Sequence, residues 1–138
     1  AIKCADEAKL NGEIPVGAII FDPKKNTIIS ISGNKTNKNF DPTAHAEINV
    51  IRDACAQLNC SRLPEYDLYV TLEPCQMCAG ASYWTQLGKI VYGASELERG
   101  FVSLKTTLHP KTKVVSGIME NECSMLMKRF FVEKRNLN

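Results

Sequence analysis

Helical and extended apolar periods alternate along this chain in the order α-β-β-α-β-α-β-β-α, a succession that calls for one sheet with helices on both faces. Ile2, Ala5 and Ala8 form a short helical stripe that stops at Asn11-Gly12. Residues 16–21 and 27–32 read as the strands of a hairpin turned over residues 22–26. Helical spacing returns at Ile48, Ile51, Cys55 and Leu58, with Asp41 and Thr43 around Pro42 as its start signal. The run Leu68-Tyr69-Val70-Thr71-Leu72 predicts a buried strand that Pro74 ends. A second helix is expected from Cys75 to about Gln86, then a strand over 89–92. Residues 93–111 look irregular, with a turn of helix expected over 105–109, and Val114-Val115 suits a last short strand. Cys123, Leu126, Met127, Phe130 and Phe131 fall at i, i+3, i+4, i+7 and i+8 of a final helix, whose Phe130-Phe131 pair reads as core packing.

With 138 residues, the chain has the length of one domain and buries roughly two thirds of its unfolded surface. Its 44% hydrophobic and 23% charged residues exclude a disordered chain, and no apolar run approaches the ~20 residues of a membrane span. Seventeen basic against 15 acidic residues leave +2, too little to imply a nucleic-acid partner alone. The C-terminal end is locally basic, through Lys128, Arg129, Lys134 and Arg135. Six cysteines without a charged-then-apolar leader point to a reducing compartment and not to a disulfide framework. Cys4, Cys55 and Cys123 then read as small buried apolar residues, and Cys60 as a loop residue.

The chemistry concentrates in Asp41-Pro42-Thr43-Ala44-His45-Ala46-Glu47 and in Glu73-Pro74-Cys75-Gln76-Met77-Cys78. Cys75 and Cys78 lie three apart at a helix start, so both sulfurs fall on one side of the first turn. Unpaired N–H groups there favour negative charge and hence thiolates. With His45 they make an N,S,S set that suits one Zn²⁺ and leaves a fourth position open. His45 and Glu47 project about 200° apart on a helix, so they do not grip one ion side by side. At a helix start both can border one pocket, with Glu47 moving protons for a water on the metal. A lone C-x-x-C also suits structural zinc or redox chemistry. Structural zinc wants a fourth ligand, and His109, the other histidine, belongs to a solvated loop; redox use leaves His45 and Glu47 without a task.

H-x-E ahead of P-C-x-x-C is the pattern of the zinc deaminases. These two segments, the second extended to Leu68–Gly80, resemble the bacterial tRNA-specific adenosine deaminases of the cytidine deaminase superfamily. Gly12-Glu13-Ile14-Pro15-Val16-Gly17-Ala18 is similar to that family's opening strand, and Gly117-Ile118-Met119, Glu122-Cys123 and Phe130-Phe131 to its closing segment. The resemblance implies a single zinc-dependent deaminase domain over 1–138, with a cytidine deaminase-like, mostly five-stranded mixed sheet. It implies zinc on His45, Cys75 and Cys78, proton shuttling by Glu47, and hydrolytic conversion of the wobble adenosine of a tRNA anticodon to inosine. It also implies a cytoplasmic homodimer. Asn34 would hydrogen-bond the flipped nucleoside, the Ala46 backbone would contact the base, and Phe131 and Arg135 would touch the anticodon loop.

Other segments point elsewhere. Tyr83-Trp84 and Ile51-Arg52-Asp53-Ala54-Cys55 resemble bacterial guanine deaminases, which keeps a free base or nucleoside such as guanine or cytosine as the alternative substrate. The stretch 93–104 is about one residue shorter than the tRNA enzymes' loop and has Glu98 where a basic residue is expected. Trp84 suits either a pocket wall or dimer packing. A non-enzymatic, zinc-stabilised RNA-binding module is disfavoured by Glu47, for which a purely structural metal has no use.

Overall fold

The structure, a computed structural model, describes residues 1–137. Its elements are α1 (Ile2–Leu10), β1 (Gly17–Asp22), β2 (Thr27–Gly33), α2 (Ala46–Leu58), β3 (Asp67–Leu72), α3 (Gln76–Thr85), β4 (Lys89–Ala94), β5 (Lys113–Val115) and α4 (Glu120–Leu137). The strands form one sheet in the order β2-β1-β3-β4-β5. A tight turn joins β1 to β2, so they pair antiparallel, as do β1 and β3. Crossover through α3 brings β4 back parallel to β3, and β5 adds in parallel at the edge.

Side-chain alternation assigns the two faces. Ala18 and Ile20 of β1, Leu68 and Val70 of β3, and Ile90 and Tyr92 of β4 join Val50, Ile51 and Ala54 of α2 and Ala79 of α3 in the main core. Each buried Ile or Leu there stabilises by roughly 1.5–3 kcal/mol. β5, exposed at all its positions, contributes ladder bonds instead. On the opposite face α1 crosses β1 and β2, while α4 lies on β4 and is tied to α1 by Lys9 Nζ to Glu133 Oε1 at 2.9 Å. The cysteines are all free: Cys4 and Cys123 are buried, Cys55 is half-buried and Cys60 exposed.

Three sequence expectations are corrected. Asp41 and Thr43 do not cap α2. Asp41 Oδ1 instead accepts Thr43 N–H at 2.8 Å and Thr43 Oγ1–H at 2.7 Å, closing a turn of its own, and the helix begins later with His45 as its N-cap. No helical turn forms over 105–109. The turn falls earlier, where Leu104 N–H meets Gly100 O at 3.1 Å, and Lys105 at φ 54° ends it. The Phe130-Phe131 pair is split: Phe130 enters the core while Phe131 is 50% exposed.

Gly93 lets α4 lie close to the sheet. A Cβ at Gly93 would stand 2.4 Å from Cys123 Sγ and 3.0 Å from the Ile118 carbonyl oxygen, atoms held by α4 and its lead-in. Gly93→Ala is expected to cost about 1–3 kcal/mol through overpacking, read as a lower urea midpoint with an unchanged slope.

Candidate active site

Both helices that flank the site begin on a residue that would ordinarily be a hydroxyl or carboxamide cap. The N-cap of α2 is His45 and that of α3 is Cys75, and neither side chain caps its own helix. They turn toward each other instead. His45 Nδ1 lies 3.5 Å from Cys78 Sγ and 3.7 Å from Cys75 Sγ, and the three ligand atoms all lie within 4.8 Å of one another. Tetrahedral Zn²⁺, with its usual N and S bond lengths, separates an N ligand from an S ligand by about 3.6 Å. The set therefore fits zinc without rearrangement.

Local bonding aims these ligands. Pro74 ends β3 and delivers Cys75 to the start of α3, with Cys78 one turn on. At the other junction Asn49 Nδ2–H bonds the carbonyls of Ala44 and Gly33, each at 3.2 Å, fixing the chain ahead of His45. The two helix N-termini add positive potential. The Cys78 S–H donates to Cys75, which together with His45 holds Cys75 down to about 4, while the same bond and burial push Cys78 up. The hydrogen bond to Cys75 in turn raises His45.

Beside the ligands opens a cavity of about 220 Å³ whose walls include Asn34, His45, Ala46, Glu47, Cys75 and Phe131. Glu47 is 4% exposed, and burial pushes its carboxyl up, toward the form that holds a proton. His45 and Glu47, opposed in direction, thus border one cavity. Ala46, the first residue of α2, brings a backbone N–H with no acceptor inside the helix. A larger cavity of about 430 Å³ lies on the opposite face near α1 and α4, but its wall is mainly apolar and contains none of these groups.

Two further buried carboxylates hold the pocket's loops. Glu13 accepts Asn37 N–H at 3.0 Å and Lys38 N–H at 2.8 Å, pinning the loop that carries Asn34. Glu73 accepts Glu96 N–H at 3.1 Å and Val102 N–H at 3.0 Å, pinning the loop that brings Arg99 to the cavity. Gly100 makes the second clamp possible, because a Cβ there would meet the Glu73 carboxylate. The sequence reading missed both acids. Their signal was an acidic residue set among apolar neighbours and Pro, in Glu13-Ile14-Pro15-Val16 and Leu72-Glu73-Pro74. It also missed Arg99: both Glu98 and Arg99 are exposed, but it is Arg99 that supplies a side chain to the cavity wall.

Of the remaining sequence candidates, Arg135 is exposed on α4, one turn beyond Phe131 and outside the cavity wall. Trp84 is 78% exposed and packs edge-on against Tyr83, so it is no pocket wall. His109 is half-buried against the Tyr83 ring, centroids 5.8 Å apart, and not freely solvated.

A mixed sheet that presents an N,S,S set at two helix starts, with a buried carboxylate in the same cavity, defines a zinc-dependent deaminase. A family model for the cytidine and deoxycytidylate deaminase zinc-binding region matches residues 1–94. The tRNA-specific adenosine deaminase of Agrobacterium fabrum is 43% identical over 89% of this chain and 84% of its own. A solved structure from work on A-to-I editing by tRNA:A34 deaminases at the wobble position of transfer RNA aligns with TM-score 0.85 and 39% identity, covering 91% of this chain and 94% of that one. A guanine deaminase from Bacillus subtilis aligns with TM-score 0.65 and 38% identity, over 69% of this chain and 60% of its own. The chain belongs to the tRNA-specific adenosine deaminase family, within the cytidine and deoxycytidylate deaminases.

Cys75→Ser or Cys78→Ser is expected to drop zinc from one per chain to a small fraction and to lower the melting temperature, measured by elemental analysis and calorimetry. Acidification should release the metal from the unmodified protein, since every ligand must be deprotonated to bind. Glu73→Ala leaves two loop N–H groups without their acceptor, at about 1–3 kcal/mol each. It should speed amide exchange at Glu96 and Val102 while leaving zinc content intact.

Proposed function

We propose that this protein hydrolyses the wobble adenosine of a tRNA anticodon to inosine, releasing ammonia. The observation that carries the proposal is the buried Glu47 carboxyl in one cavity with the His45, Cys75 and Cys78 ligand set. When bound, zinc acidifies a water and so supplies a nucleophile at neutral pH. Glu47 takes a proton from that water and returns one to the departing amine, so C6–O forms, C6–N breaks and no other reagent is consumed. Its burial keeps the carboxyl poised to hold the proton between those steps. Asn34 hydrogen-bonds the extruded nucleoside, and the Ala46 N–H meets the base.

The tRNA substrate is supported by the names of the relatives, matched over most of both chains. Phe131 in the cavity wall and the basic end of α4, with Arg135, suit an anticodon loop whose bases can be splayed and stacked. Residues 1–138 act as one deaminase domain, as a homodimer, in the cytoplasm. Among the described residues no helix is long and apolar enough to cross a membrane. The guanine deaminase likeness favours a free base as a second reading, yet it covers less of both chains at a lower TM-score.

Zinc-loaded protein incubated with tRNA should convert the wobble position to inosine, read by sequencing as an A-to-G change. Ammonia released only from a panel of free bases and nucleosides would overturn the tRNA assignment. Glu47→Gln should keep zinc and fold and lose about 10²–10⁴ in kcat; full activity in that variant would remove Glu47 from the mechanism.

A further inference from the structure

Phe40 carries two uncompensated costs. It is 96% exposed, more than any other large hydrophobic side chain described, and its backbone sits at φ 49°, a left-handed conformation that bulky residues avoid. Among the described residues it is the one aromatic with a positive φ. The loop is not free to relax. Glu13, itself buried, holds the N–H groups of Asn37 and Lys38, Asn39 N–H bonds the Lys35 carbonyl at 3.0 Å, and Asp41 N–H bonds the Thr36 carbonyl at 3.0 Å. A strained residue held this firmly, with its ring in water, marks a surface shaped for something outside the chain.

Its position says what. Phe40 borders a surface cleft of about 450 Å³ that shares Ile14, Asn34 and His45 with the catalytic cavity. The cleft is therefore the vestibule of the active site. Lys35 and Lys38 on the same loop line a separate pocket against α1, so the cleft itself carries no lysine among its walls. The nearby Asp41 carboxylate is engaged by Thr43 and lies 4.0 Å from Arg52. An exposed aromatic ring at the mouth of a catalytic cavity is the arrangement that receives a base of single-stranded nucleic acid, ring against base.

We propose that Phe40 is a stacking platform for a base next to the adenosine undergoing deamination. The proposal rests on the RNA substrate read above and adds to it a specificity contact. Extruding one nucleotide strips its neighbour of a stacking partner; the Phe40 ring replaces that partner and lowers the cost of extrusion.

Zinc-loaded Phe40→Ala, Phe40→Asn and Phe40→Tyr, assayed on an anticodon stem-loop RNA, test the proposal. The Ala and Asn variants should lose about tenfold in kcat/KM, with the loss falling on KM, while Tyr stays near the parent. The Asn variant should melt no lower than the parent, because Asn tolerates the left-handed backbone; a merely structural ring would lower melting temperature and KM performance together. 2-Aminopurine placed in turn on either side of the target should be quenched by the parent at one position and not by Phe40→Ala. Deamination of the stem-loop by Phe40→Ala with parental KM and parental quenching overturns the platform and leaves the RNA reading standing. A change of oligomeric mass in place of a change in KM also overturns it, assigning the ring to a protein contact. A parent that deaminates free bases but no RNA would instead sink the reading on which the platform rests.

Discussion

The convergence of two helix starts on one point is the constraint from which the rest follows. His45 and Cys75 are the N-caps of α2 and α3, and each gives up the capping bond in order to face the other. Their separation is set far from the metal, by Val50, Ile51 and Ala54 of α2 and Ala79 of α3 sharing one core with the inner face of the sheet. The ligand geometry therefore depends on dense packing that changes little with solvent. Unpaired N–H groups at both helix starts then favour the anionic sulfurs that zinc requires.

Around that point the protein buries three glutamates and gives them different work. Glu13 and Glu73 each accept N–H groups from a surface loop and are satisfied by the chain itself. Glu47 has no such loop donors. Burial is what chiefly pushes its carboxyl up. The same side chain thus serves as a rigid clamp in two places and, in the third, stands buried beside the ligand set with its carboxyl pushed up. What separates the roles is the supply of backbone donors, in the way that paired carboxylates elsewhere divide acid from base by environment.

Local signals were enough for the strands, the helices and the ligand set. The β-rich run ahead of Pro74, the i, i+3 cysteines and the helical stripe from Ile48 each need only neighbours in sequence to be read. What the sequence hid depends on distant partners. Asp41 and Thr43 look like a helix cap until the turn they close on themselves is seen. Phe130 and Phe131 are adjacent in one apolar stripe, and only the position of α4 over β4 sends one inward and leaves the other at the cavity. Glu13 and Glu73 lie 24 and 23 residues from Asn37 and Glu96, loop partners whose amides they bind. Arg99, and not Glu98, reaches the pocket wall, on a loop whose place is set by Glu73, 23 residues from Glu96.

The ligand set and part of the cavity's rim come from different stretches of the chain. The family-wide zinc-binding region ends at residue 94, and it already contains His45, Glu47, Cys75 and Cys78 on elements rooted in the core. Arg99, Phe131 and Arg135 all lie beyond it, on a loop held by Glu73 and bridged to Cys75 through Gly100, and on a helix seated against the outer face of the sheet. A fold arranged this way can keep one hydrolytic reaction while its rim differs, and the guanine deaminase and the structure from work on tRNA:A34 deaminases both align with this chain, at nearly equal identity.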